Sequence, residues 1–255
     1  MKQLDEIPRS VSATLLQRRS IRRYEREPIA DEDLSFIREA IRNTPTSYNG
    51  QQFSVIEIDD RTLKEQLAEI IGQKQIKTSA RVFAFLSDFH KIAVAAKAKG
   101  LENPGFENTA DGLIVGTVDA ALAMMSAIVA ATSRGLGTCP IGYARTVAPA
   151  RISEILHLPK GVYLVCALAV GVPRELPDMH PKQPLDLVFF KNSYGTPDMA
   201  GKLMAYDRTV AQFNATRSGT TSNNDWAAHI LSYYREGMKY DMLAALRARG
   251  YGMES

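Results

Sequence analysis

Residues 113–131 read LIVGTVDAALAMMSAIVAA, an almost unbroken run of apolar and small side chains. The run is about long enough to cross a bilayer. Its composition argues against a span, because Thr117, Asp119 and Ser126 interrupt it and alanine and glycine outnumber leucine and phenylalanine. A helix that is hydrophobic on every side belongs at the centre of a fold, where small residues let another backbone approach closely. Arg134-Gly135 closes it with a basic last turn and a glycine C-cap. The reading is a central helix, packed all round.

The flanking chain supplies more helices than strands. Asp31 is placed to cap a helix with Leu34, Ile37 and Ile41 on one face. Leu63, Leu67, Ile70 and Ile71 mark another, stopped by Gly72, and Pro149 suits the first turn of a third with Ile152, Ile155 and Leu156 inward. Strand-like runs are Phe53–Ile58, Val82–Leu86 and Val162–Val170, the last continuous enough to be buried on both faces. Strands this few and widely spaced predict an α+β fold, not a βαβ repeat. From about Val172 the texture changes: prolines at 173, 177, 181, 184 and 197 punctuate a stretch without periodicity. Helices are expected again over 200–216 and from 225 to about 249, with the polar loop Ser218–Asn224 between them.

Composition excludes several function classes. The chain has 255 residues, 45% apolar and 23% charged, which allows a packed core. Two cysteines, Cys139 and Cys166, give neither a disulfide framework nor a four-cysteine zinc site, and suit a reducing compartment. The N-terminus shows no apolar leader, so a cytoplasmic protein with no membrane attachment is expected. His90, His157, His180 and His229 are scattered, and no metal-binding spacing occurs. Gly135-Leu136-Gly137 with Gly142 fits neither the dinucleotide fingerprint nor a P-loop, and it follows a helix where those motifs follow a strand.

Charge concentrates near the N-terminus. Residues 9–26 hold six arginines against one glutamate, in a chain of net charge +3. Arginine forks match phosphate oxygens bidentately, and Ser20 adds a hydroxyl donor. On charge alone a solvated helix end, a phosphate ligand and nucleic acid all stay open. Nucleic acid is the weakest of the three, since no aromatic-interleaved basic stripe accompanies the cluster.

Arg18-Arg19-Ser20-Ile21-Arg22-Arg23-Tyr24, followed by Pro28-Ile29, resembles the opening motif of the nitroreductase/flavin reductase family. Residues 44–52, TPTSYNGQQ, resemble its second flavin segment. Gly72-Gln73-Lys74-Gln75, Pro140-Ile141-Gly142 after Gly135-Leu136-Gly137, Val170-Gly171-Val172-Pro173, and the Arg217 and Asp225-Trp226 regions continue the likeness, in order, across about residues 10–250. It is closest to the NADPH-preferring branch of oxygen-insensitive nitroreductases and FMN reductases.

The resemblance implies a single nitroreductase-like domain over 1–255, with a mainly antiparallel sheet flanked by helices. It also implies an intertwined homodimer in which about 172–255 embraces the partner, and FMN bound at the interface. Arg18, Arg19, Ser20, Arg22 and Lys182 would hold the FMN phosphate, with His180, at a family lysine position, a lesser candidate. Ser47, Asn49 and Gln51 would bond the pyrimidine edge and ribityl chain; Gln73 and Lys74 would lie near the isoalloxazine; Pro140, Ile141 and Gly142 would line one ring face. NADPH, or NADH, would give a hydride to the flavin, which would then reduce nitroaromatics, quinones or free flavin. With the chemistry carried by the cofactor, no catalytic side chain and no metal are expected. Arg217 and Arg208 would read the donor's 2′-phosphate, and Arg145 its pyrophosphate, beside a loop 218–224 that lacks the family's further arginines. A narrower reaction on the same fold, such as dehalogenation or flavin fragmentation, and a non-catalytic flavin sensor or carrier are the alternatives.

Overall fold

The computed structural model describes residues 10–217 and 225–252. All ten residues of β4 (Val162–Gly171) are buried, so this strand must be flanked on both edges and covered on both faces. β2 (Arg81–Asp88) and β3 (Gly137–Ile141) flank it antiparallel, and β1 (Phe53–Ile58) pairs outside β2, giving the order β1-β2-β4-β3. Three of these strands lie where the sequence predicts them. β3 is an addition, because Gly137, Thr138 and Pro140 carry little strand propensity.

A bulge sets the two faces. Phe85 pairs with Cys166 and Leu86 with Leu164, leaving Val165 as the extra residue. Val165 and Cys166 therefore both join the face of Tyr163, Leu168 and Val170, while Leu164, Ala167 and Ala169 lie opposite. The first face is covered by α2 (Asp31–Arg42) and α6 (Ala110–Ser133). The second packs on α3 (Arg61–Ile71), the short α4 (Lys74–Thr78) and α7 (Pro149–Ile155). Gly72 stops α3 in the left-handed conformation at φ 72°, and Pro149 opens α7, both as expected.

α6 lies on the sheet through Gly116, Ala120, Ala123 and Ala127. A Cβ on Gly116 would stand 2.0 Å from Ser87 Oγ, so only glycine permits this approach. The expectation of all-round burial holds on that side alone. Ile114, Val118, Leu122 and Met125 form a stripe 38–59% exposed in the single chain.

Other expectations are corrected. Asp31 is the first residue of α2, and its neighbour Ala30 makes no side-chain cap; three acids in the first turn, Asp31, Glu32 and Asp33, stabilise the helix dipole instead. The helix expected over 225–249 is two, α9 (Trp226–Gly237) and α10 (Met242–Ala248), because Asp241 caps a new start by accepting from Ala244 N at 2.9 Å. α1 (Val11–Gln17) and α5 (His90–Lys99) are further additions; α5 buries no side chain and so has no apolar face to read.

Two units result, one of residues 10–177 and 241–252 and one of residues 178–240. The second contains α8 (Met199–Thr216) and α9, joined by Asp207, whose carboxylate accepts from Ala227 N at 2.9 Å. Among its described residues Asp207 alone is buried. The first unit is closed by the chain's end. Tyr251 is fully buried, its Oη 2.8 Å from Ser87 Oγ and 3.2 Å from Gly161 O, its ring edge-on to Phe89 and Tyr163. Tyr251→Phe should cost about 1–2 kcal/mol from the lost hydroxyl bonds, and Tyr251→Ala about 3–5 kcal/mol from the cavity. Urea denaturation of both variants separates the two contributions.

Candidate functional site

The arginine segment leaves α1 and runs extended beside β3. Arg18 is the C-cap of α1, and Ser20 forms a parallel bridge with Thr138, fixed by Ile21 N donating to Thr138 O at 2.9 Å. A Cβ on Gly137 would stand 2.9 Å from the Ile21 side chain, which is why the strand opens with glycine. Tyr24 pins the far end, its Oη 2.7 Å from Ile21 O and 3.2 Å from Ala169 O, and burial holds its phenol well above the usual range.

The arginines differ in what they already hold. Arg19 donates to Gln17 O at 3.2 Å and to Pro177 O at 3.1 Å, so its guanidinium is tied to main chain. Glu175 accepts from Arg22 N at 2.9 Å and pairs with Arg23 at 3.6 Å. The Arg22 guanidinium itself has no carboxylate partner among the described residues. Arg18 Nε and Thr138 Oγ1 are buried with no hydrogen-bond partner among the described residues. An unpaired buried donor costs about 1–3 kcal/mol, which an incoming acceptor would return.

Cys139, on β3, joins this cluster to α4. Burial raises its thiol pKa, while the charges of Arg22 and Arg18 and a bond from Gln75 lower it. Gln75 Nε2 lies 4.0 Å from Cys139 Sγ and donates to Gln73 Oε1 at 2.7 Å. Gln73 is the N-cap position of α4, and Lys74 begins that helix, exposed. Pro140 and Ile141 end β3, and Gly142 opens the helical turn Gly142–Arg145. Arg145 folds back onto that turn, donating to Gly142 O at 3.1 Å and Val165 O at 3.4 Å. Residues 18–22, 73–75 and 138–142 are thus one cluster.

Ser47, Asn49 and Gln51 form another. Their loop is left-handed at three residues other than glycine, Tyr48 (φ 58°), Asn49 (φ 53°) and Gln51 (φ 52°), a conformation that costs energy at each. What holds it is a residue that sequence reasoning noted and gave no role. Asp119, fully buried on α6, accepts from Ser47 N at 3.0 Å and from Gln52 N at 3.2 Å. Ser126, one of the other interruptions of the apolar run, meets Thr44 Oγ1 at 2.8 Å. A lone acid in an apolar helix was the available signal.

No hydrogen bond links the two clusters among the described residues. α6 meets the loop at Asp119 and the arginine segment near Thr132, which lines a small hollow with Arg18 and Arg19. Those positions are about 20 Å apart along the helix.

The remaining candidates lie in the second unit. Arg217 follows α8, its Nη1 3.3 Å from His180 Nε2, and the His180 ring packs on Phe213 at 5.0 Å. Lys182 and Arg208 are exposed. The loop 218–224 lies outside the described residues.

Asp119→Asn keeps the shape but turns one acceptor into a donor facing a buried N–H. It should lose about 1–3 kcal/mol of stability and make the 47–52 loop the first site of protease cleavage, followed by denaturant titration and mapping of the nick.

Comparison with known proteins agrees with this architecture. The nitroreductase family model matches residues 15–172 and the family's C-terminal domain model residues 180–254. The chain is 32% identical to the FMN reductase [NAD(P)H] of Bacillus subtilis, over 96% of this chain and 98% of that one. It is 36% identical to the oxygen-insensitive NADPH nitroreductase of Salmonella typhimurium, over 83% and 85%. Among solved structures, B. megaterium NfrA2 superposes with a TM-score of 0.90 at 30% identity, covering 96% of this chain and 99% of that one. On this sheet, this order of segments and these matches, the chain belongs to the nitroreductase family.

Proposed function

We propose that the chain is an FMN-dependent NAD(P)H oxidoreductase that reduces small acceptors such as nitroaromatics, quinones or free flavin. The observation that carries the reading is the pair of unsatisfied groups beside the start of β3, Arg18 Nε and Thr138 Oγ1. They are buried and without a hydrogen-bond partner among the described residues, next to the Arg22 guanidinium, which makes no ion pair among those residues. Donors in excess fit an oxygen-rich anion, and the phosphate of FMN is one. The named relatives are an FMN reductase and an NADPH nitroreductase, which supports that choice.

Bound FMN would supply two-electron hydride chemistry, accepting from NAD(P)H and passing electrons on. The protein's part is to bind and orient. Arg18 and Arg22 would neutralise the phosphate and Ser20 would donate a hydroxyl hydrogen bond to it; Arg19, occupied by two carbonyls, holds the segment's path. Gln73, fixed by Gln75, would present a polar edge to the ring system, and the Pro140–Gly142 backbone would give it a wall.

We infer that the working unit is a homodimer. The α6 stripe is exposed, and the second unit leaves Leu185, Phe189, Tyr194, Tyr233 and Met238 more than 60% exposed, which water penalises unless another surface covers them. A dimer also resolves the separation along α6, since the 47–52 loop of one chain can complete the arginine site of its partner. Sedimentation at low concentration should show no folded, flavin-loaded monomer; finding one removes this inference.

Arg22→Ala should weaken FMN retention about tenfold or more with little loss of stability. Ultrafiltration with the flavin absorbance followed checks it, and wild-type retention would show that the phosphate is held elsewhere. Bleaching of the flavin by NADPH under nitrogen, with recovery on adding nitrofurazone, distinguishes the enzyme from a carrier.

For the donor, Arg217 is the leading cation in the second unit. One exposed arginine gives about 1 kcal/mol, a preference for NADPH over NADH of about fivefold. The kcat/KM ratio for the two donors should fall towards one in Arg217→Ala. A ratio above about a hundredfold that survives the substitution would mean that another residue reads the 2′-phosphate.

A further inference from the structure

A second concentration of positive charge lies in the first unit, in a cavity of about 750 Å³ that shares no lining residue with the proposed flavin site. Its walls carry Arg26, Arg61, Lys64, Lys77 and Arg174. They come from three places: the end of the extended arginine segment, the facing turns of α3 and α4, and the chain just after β4.

The local carboxylates are largely spent on other partners. Asp60 caps α3 through Leu63 N at 2.6 Å, Glu65 pairs with Arg61 at 2.9 Å, and Glu57 and Asp59 pair with Arg81 at 3.2 and 3.7 Å. Only Glu25 and Glu65 reach the cavity wall. Arg26, Lys77 and Arg174 make no ion pair among the described residues. Lys64 is 7% exposed; its Nζ donates to Ser79 O at 2.9 Å and to Ala80 O at 3.3 Å, which leaves one N–H of the ammonium uncommitted among the described residues. Burial lowers its pKa, and the nearby Arg81 lowers it further. Asp59 and Asp60 act in the opposite direction, and an anion at the cavity would add to their effect.

Like charges held together around a concave, polar wall focus a field that concentrates an anion. One phosphate is matched by one or two cations. Three cations with no ion pair among the described residues and a buried ammonium exceed that, even with Glu25 on the same wall offsetting one of them. The volume falls within the roughly 300–1,000 Å³ typical of small-molecule sites. We propose that this cavity is a binding site for a small molecule carrying a diphosphate group, separate from the flavin site. The proposal does not rest on the flavin assignment.

The test is calorimetric titration of the purified protein, with its flavin retained, using inorganic pyrophosphate as the probe and inorganic phosphate for comparison. One pyrophosphate should bind per chain, more tightly than phosphate, with the visible flavin spectrum unchanged. Lys77→Gln and Arg174→Gln should each weaken it about tenfold or more. Arg42→Gln, an exposed arginine paired with Glu39 elsewhere on the surface, should leave it unchanged. Absence of binding, equal weakening by Arg42→Gln, or competition between pyrophosphate and free FMN would each overturn the proposal. The last of these would place the probe in the flavin phosphate site.

Discussion

A helix of 24 residues can lie directly on a sheet only if the side chains between them are small, and α6 meets that condition with Gly116, Ala120, Ala123 and Ala127. The core on this face of the sheet is arranged around that contact. Gly116 brings α6 against Ser87, and the same Ser87 hydroxyl meets the buried phenol of Tyr251, so the chain's last described turn is locked to the helix–sheet interface. The close approach also sets the depth at which Asp119 sits. A carboxylate this deep is tolerated because two backbone N–H groups satisfy it.

Much of the fold was legible because its signals are local. β4 announced itself by continuous hydrophobicity, α3 by its apolar period and Gly72, α7 by Pro149. What was hidden depends on partners distant in sequence. β3 pairs only because β4 offers an open edge, so Gly137 and Pro140 gave no warning of a strand. α5 has no buried face, and a helix of alanines and lysines on the surface shows no period. The break between α9 and α10 turns on Asp241 capping forward, which competes with continuing the helix.

The candidate site divides the same way. Charge excess pointed to residues 18–26, since composition alone exposes it. Which arginine remains available did not show, because Pro177 O and Gln17 O occupy Arg19, and Gly142 O and Val165 O occupy Arg145. The proximity of His180 and Arg217 spans 37 positions and needed coordinates. Asp119 was visible as an anomaly, yet its role required knowing that the 47–52 backbone arrives beside it.

The left-handed loop has a consequence for how such proteins diverge. Its path is held through main-chain N–H groups by Asp119 and Thr46, and the side chains of Tyr48, Asn49 and Gln51 are exposed and take no part in holding it. Mutation at these three positions can therefore change what the loop presents to a visiting molecule while the backbone stays in place. The accessible alphabet is restricted: β-branched residues are poorly tolerated at positive φ, whereas asparagine, aspartate and glycine are accepted readily. Within that alphabet, descendants of this chain can vary those exposed side chains freely, with Asp119 as the fixed point that keeps the backbone path unchanged.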